Sequence, residues 1–203
     1  MWLSKLFDNN RNKQAETWVF GIMLAAGLLA LLSSFVLTVE KFHLLENPGT
    51  VLACDINAFI SCSTVMQTWQ ASVFGFPNTI IGLMADAVVV TIAVLGLARV
   101  KLPRFILILA NVGFLLGAIF AYWLLFQSVY VIEVLCPWCL VVTFTTTLIF
   151  ATMTHYNLMN NTFGLKKRFK KLAEAFTAKG YHQMVVASWI VIIVALVYIK
   201  FSF

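Results

Sequence analysis

Five long apolar stretches divide the chain, at residues 17–39, 79–98, 105–126, 136–153 and 184–203. Each is close to the roughly 20 apolar residues that cross a bilayer. Each is expected to be helical, because hydrocarbon offers an unpaired backbone group no partner. The last is interrupted near its end by Lys200. The first is too long for a signal-peptide core, and no small-residue cleavage site follows it. The polar segments between are short except for 40–78 and 155–183, and no repeat, low-complexity tract or second soluble domain is visible. The pattern predicts a cytoplasmic segment (1–16), a four-helix membrane domain (17–156) with an outer loop (40–78), a basic cytoplasmic loop (157–183) and a fifth, peripheral span (184–203). Within the outer loop, Val65, Met66, Trp69 and Val73 fall at helical spacing. That predicts a short amphipathic helix lying in the interface.

Composition supports the same class. Of the 203 residues, 62% are hydrophobic and only 11% charged, against about 25% charged in a soluble domain. The chain is an all-α integral membrane protein on this reading, and its net charge of +6 is no sign of nucleic-acid binding. Placement of the charge says more than its sum. Twelve of the fourteen Lys and Arg residues lie in three segments: Lys5, Arg11 and Lys13; Arg99, Lys101 and Arg104; and Lys166, Lys167, Arg168, Lys170, Lys171 and Lys179. Five alternating spans put all three on one side, which the positive-inside rule makes the cytoplasm of a multi-pass cell-membrane protein. The "KKRFKK" run is then a topology signal that can also touch anionic lipid.

With that topology all four cysteines face outward. Cys54 and Cys62 stand in the outer loop, in "CDINAFISCS"; Cys136 and Cys139 stand at the outer end of the fourth span, in "VLCPWCLVV". Disulfides persist outside the cytosol. Proline is favoured at the first helical position, so Cys136 is expected near the N-cap and Cys139 in the first turn. Free N–H groups and the positive helix end favour a reactive thiolate there. The fourth span thus presents a nucleophile at the lipid boundary, where a quinone is the obvious two-electron partner. Two dithiol pairs on one face, one wet and one at the lipid edge, suit a relay by thiol–disulfide exchange. The plainer alternatives are two structural disulfides, or a four-cysteine zinc site in a non-catalytic membrane protein. The seven residues between Cys54 and Cys62 are poor zinc-knuckle spacing, and no metal is expected.

Asp86 is the ionisable residue deep within a span, where a carboxylate is expensive and by default suggests function. Asn78, Gly82 and Asp86 follow at i, i+4 and i+8 and share one helix face. Asp86 is therefore a candidate for a proton path to a reduced quinone, with a hydrogen-bonded packing role as the alternative. Asn78 read alone is an N-cap before Thr79. His43, His155 and His182 show no metal-ligand spacing.

The motifs "CDINAFISCS", "ASVFGFPNTIIG" and "CPWC", in this order and topology, resemble the vitamin K epoxide reductase family over residues 17–156. The resemblance implies four helices around a quinone site near the outer face. It is to the bacterial members, which make disulfide bonds rather than recycle vitamin K epoxide. Many of these carry a fused thioredoxin-like domain after the fifth span, and this sequence, lacking one, is expected to serve a separate extracytoplasmic thioredoxin-fold protein. Carried over by motif, Cys139 would attack the quinone, of the menaquinone or ubiquinone class, and Cys136 would resolve the adduct. Cys62 would exchange with Cys136, and Cys54 would face the partner. Asn78 would hydrogen-bond a quinone carbonyl, with Met66 and Phe74 contacting the ring from a capping helix. Gly75 and Pro77 would shape the turn into the second span. Thr143 stands where the animal enzymes have a tyrosine, which weighs against epoxide reduction. A different quinone-linked thiol oxidase family also uses four helices and two cysteine pairs, but places its C-x-x-C in the first outer loop, the reverse of the order here.

Overall fold

A computed structural model describes residues 2–164, 166 and 181–202. The elements are α1 (Trp2–Glu46), α2 (Cys62–Met66), a 3₁₀ turn (Trp69–Ser72), α3 (Asn78–Leu97), α4 (Arg104–Phe126), a π-helical turn (Gln127–Ile132), α5 (Pro137–Met159) and α6 (Tyr181–Ser202). Gln14–Glu46, Asn78–Leu97, Arg104–Ile132 and Pro137–Met159 are long and apolar enough to cross a membrane. The protein is an all-α membrane bundle. The apolar part of α6, Val186–Phe201, is shorter. Among the described residues α6 packs mainly on α5. Most of the 155–183 basic loop, including "KKRFKK" beyond Lys166, lies outside the described residues.

In lipid, apolar side chains gain little by leaving their surroundings, so helices associate through close packing and interhelical hydrogen bonds. The α1–α3 contact follows that rule. Met23, Ala26 and Ala30 of α1 share a buried cluster with Val89, Ile92 and Ala93 of α3. A Cβ added at Gly82 would lie 2.6 Å from Ser34 Oγ, so at this point the close approach of the two helices relies on residue 82 having no side chain. On the far side, Asn157 of α5 is fully buried and donates to Asn111 Oδ1 (3.2 Å) and the Leu107 carbonyl (3.3 Å) of α4.

Two helices run past the expected spans. α1 continues to Glu46 rather than ending near residue 39, because Leu44 joins Leu37, Leu52 and the cysteines in a second buried cluster. α5 continues to Met159, with Met153 and Asn157 buried. At the other end of α4, the π-helical turn closes on Glu133, which takes a left-handed conformation (φ 58°). Ser128 Oγ donates to the Val134 carbonyl there. This turn delivers the chain to the start of α5.

The expected amphipathic helix is broken in two. Thr68 Oγ1 donates back to the Val65 carbonyl (2.7 Å) and the chain leaves helical geometry before Trp69. Such side-chain bonds compete with helix continuation.

Candidate redox site

The outer segment is held in shape by one carboxylate. Asp55 accepts from the Leu52 N–H (2.8 Å), the Ser63 N–H (3.0 Å) and the Ser61 hydroxyl (2.8 Å). Partial burial works to raise its pKa, but these bonds outweigh it and hold the carboxyl at about 2. Ser61 in turn caps α2, its Oγ accepting from the Thr64 N–H (3.2 Å). These contacts fix Cys62 at the first position of α2, within bonding reach of Cys54. The two form a disulfide with a Cα–Cα separation of 5.7 Å.

A backbone clamp then ties this loop to α5. Ser61 N–H donates to the Leu135 carbonyl (2.9 Å), and Leu135 N–H donates to the Phe59 carbonyl (2.8 Å). Residues 74 apart in sequence are thereby brought together: Cys136 Sγ lies 3.5 Å from Cys62 Sγ. Both are essentially inaccessible, Cys62 at 0% and Cys136 at 1% exposure. The Cys54–Cys62 disulfide is closed here, while Cys136 and Cys139 are free thiols.

Cys136 occupies the N-cap of α5 and Pro137 its first helical position. Cys139 N–H donates to Cys136 Sγ at 3.3 Å, as a cap side chain accepts from a third-position amide. Cys139 packs beside Cys136 against the same buried cluster, its thiol in hydrogen-bonding contact with the Cys136 sulfur. It also lines a cavity between α1, α3, α4 and α5, whose wall includes Ser34, Asn78, Asp86, Phe120 and Thr143. The wall is predominantly apolar with a few convergent polar groups, the usual make-up of a small-molecule site.

Asn78 and Asp86 both line this cavity from α3. Asn78 is not the N-cap; Pro77 holds that position and Asn78 is the first helical residue. Its side chain turns back to the 3₁₀ turn, Nδ2 donating to the Gln70 carbonyl (2.7 Å) and Oδ1 accepting from Val73 N–H (3.2 Å). One amide proton of Asn78 remains for a cavity ligand. Asp86 is buried and accepts from Ser34 Oγ at 2.8 Å. Met66 is packed with Cys54, Cys62 and Cys136 and is absent from the cavity wall. Phe74 is exposed and stands against Phe120 (centroids 5.9 Å), which does line the cavity. Trp69 stands against Trp123 in the same aromatic group (6.2 Å).

Sequence reasoning missed four residues. Ser34 looks like one more small residue in an apolar helix. Leu135 and Ile60 form a bridge that no local pattern announces. Glu40, read as the first residue past the membrane, lies with Oε2 3.5 Å from Cys54 Sγ. Among the described residues, Glu40, Cys54 and Cys62 are grouped closely enough to hold a metal ion. With two of the three joined as a disulfide, the group offers no thiolate ligands in this state.

A membrane bundle with two apposed cysteine pairs, one of them opening on an intramembrane cavity, defines a dithiol oxidoreductase. The family model of the vitamin K epoxide reductase family matches residues 21–154, and the chain belongs to that family. Its chemistry is therefore of the quinone or epoxide reductase type, in a multi-pass membrane protein. No curated protein matches the chain in a sequence search.

Proposed function

We propose that the protein is a quinone-dependent thiol oxidase that makes disulfides for an extracytoplasmic thioredoxin-fold protein. The observation that carries this reading is the position of the "CPWC" turn. Cys136 meets Cys62 at 3.5 Å while Cys139 opens on the cavity. Electrons would leave a partner dithiol for the Cys54–Cys62 disulfide. The reduced pair would then pass them to a Cys136–Cys139 disulfide, with Cys62 attacking Cys136. The regenerated Cys139 thiolate would add to the quinone, and Cys136 would displace it, giving quinol and the disulfide. Distribution of Lys and Arg supports an orientation with the cysteines outside.

The cavity side chains suit a quinone of the menaquinone or ubiquinone class. Asn78 would donate its remaining amide proton to a ring carbonyl and stabilise charge developing on that oxygen. Asp86, on the cavity wall and hydrogen-bonded to Ser34, would supply protons to the reduced ring. Phe120 would face the ring with Phe74 packed behind it, and Met66 would act by backing Cys62 and Cys136.

The test is anaerobic mixing of the purified chain with a reduced thioredoxin-fold protein and a soluble quinone. Quinol should form at the rate of partner oxidation. Cys139→Ala should abolish it, and Cys136→Ala should accumulate a coloured thiolate–quinone complex. Quinol formation that persists in Cys139→Ala would sink the reading. Parallel assay with a vitamin K epoxide measures the alternative reductase activity.

A further inference from the structure

We propose that Glu40 is the proton acceptor for the Cys54 thiol, and so controls reclosure of the outer disulfide. This rests on the relay proposed above. With the Cys54–Cys62 disulfide closed, Glu40 Oε2 stands 3.5 Å from Cys54 Sγ, within reach of the proton that this sulfur carries once the disulfide is reduced. Its carboxylate also lies within 4.8 Å of the Cys62 sulfur. It reaches the sulfurs because α1 overshoots to Glu46 and carries residue 40 beside the loop. Lys41, its chain neighbour, is bound to the Met66 carbonyl at 2.6 Å. The ion pair found among the described residues, Lys200–Glu133, is elsewhere. The other titratable groups acting on this site are His43 on α1, Asp55 in the loop and Cys136 at the start of α5.

The step needs a base. After Cys62 has attacked Cys136, the two are joined as a mixed disulfide and Cys54 is a thiol. Glu40 takes the proton from Cys54 Sγ as that sulfur attacks Cys62 Sγ. The Cys54–Cys62 bond forms and the Cys62–Cys136 bond breaks. The electron pair leaves on Cys136 Sγ, and the proton passes from Glu40 to water. The oxidising equivalents are those of the Cys136–Cys139 disulfide, itself made by quinone. Without a base, an ordinary thiol with a pKa of about 8.5 is only about 0.3% thiolate at pH 6. General-base assistance of this kind is commonly worth at least about a hundredfold.

The experiment compares wild-type, E40Q and E40D chains, full length and fully reduced, mixed with a soluble quinone and quenched in acid. Quinol formation in the first turnover and closure of Cys54–Cys62 are followed separately between pH 6 and 9. E40Q should make quinol normally but close Cys54–Cys62 at least tenfold more slowly at pH 6, accumulating the Cys62–Cys136 species. At pH 9 it should come within twofold of wild type, and E40D should recover most of the rate at pH 6. Equal closure rates at pH 6, or the same slowing at pH 6 and pH 9, would overturn the proposal. A second arm removes quinone: in a Cys136→Ala/Cys139→Ala chain, oxidised glutathione closes the reduced pair, and E40Q should show the same pH-dependent loss. No quinol from the wild-type chain would count against the relay, while the glutathione arm still decides the role of Glu40.

Discussion

Cys62 Sγ and Cys136 Sγ face each other across 3.5 Å, although 73 residues of chain, including two membrane-crossing helices, separate them in sequence. A disulfide bond is about 2.05 Å long, so little movement separates contact from bond. The pair is buried and clamped by the backbone bonds of Phe59, Ser61 and Leu135. With Cys54 and Cys139 both changed to Ala, the remaining thiols should form a Cys62–Cys136 disulfide under mild oxidation. Mass spectrometry of peptides from non-reduced protein should recover that cross-link as the main species. Recovery of two free thiols under the same conditions would mean that the contact cannot become a bond.

The same clamp supplies a second prediction. Replacing Leu135 by Pro removes the N–H that donates to Phe59 while leaving an apolar residue in place. The loop would keep its own Cys54–Cys62 disulfide, and the cavity would keep Cys139. Exchange between the pairs should fall by at least tenfold, with first-turnover quinol formation by the reduced chain unchanged. If both rates are unaffected, the clamp has no part in electron transfer.

Acid should loosen the outer segment through Asp55. Its folded pKa, about 2, lies below the ordinary value of 3.8. A depressed carboxyl contributes stability that is fully present above the unfolded pKa and is lost as pH falls through the folded one. The loop should therefore hold firm above about pH 4 and lose its order between about pH 4 and pH 2. Amide exchange at Ser63 and Leu52, which donate to Asp55, should report the loss first. Asp55→Ala should remove the pH dependence and cost about 1.5–3 kcal/mol at neutral pH, the range for hydrogen bonds to a charged group.

These outcomes separate what was legible in the sequence from what was not. The spans could be read because twenty apolar residues have one use in a chain this hydrophobic. The geometry of Cys136 at a helix start could be read because Pro137 fixes the first helical position locally. Glu40 could not be read as a site residue, because polar residues after an apolar run look like the end of a membrane span; only Leu44, buried beyond them, carries α1 onward. Asn78 differs from the N-cap its sequence suggests for a related reason. Its type suits the N-cap, but Pro77 takes that position and the amide is committed to Gln70 and Val73. The bridge between Ile60 and Leu135 is long-range and leaves no periodicity to detect.

The last prediction concerns Asp86, whose two readings make different demands. As a packing residue it needs only to accept from Ser34 Oγ at 2.8 Å, which an asparagine oxygen can also do. As a proton source for the cavity it needs an ionisable group, which asparagine lacks. Asp86→Asn should leave the bundle intact, since Gly82 and Ser34 keep their close approach. If Asp86 delivers protons, quinol formation should fall about tenfold or more, within the range for positioned acid–base groups, while quinone binding measured at equilibrium stays constant. Ser34→Ala should fall less, because it removes the orienting hydroxyl and leaves the carboxyl. Unchanged turnover of Asp86→Asn at every pH would assign the residue to packing and leave proton supply to water reaching the cavity.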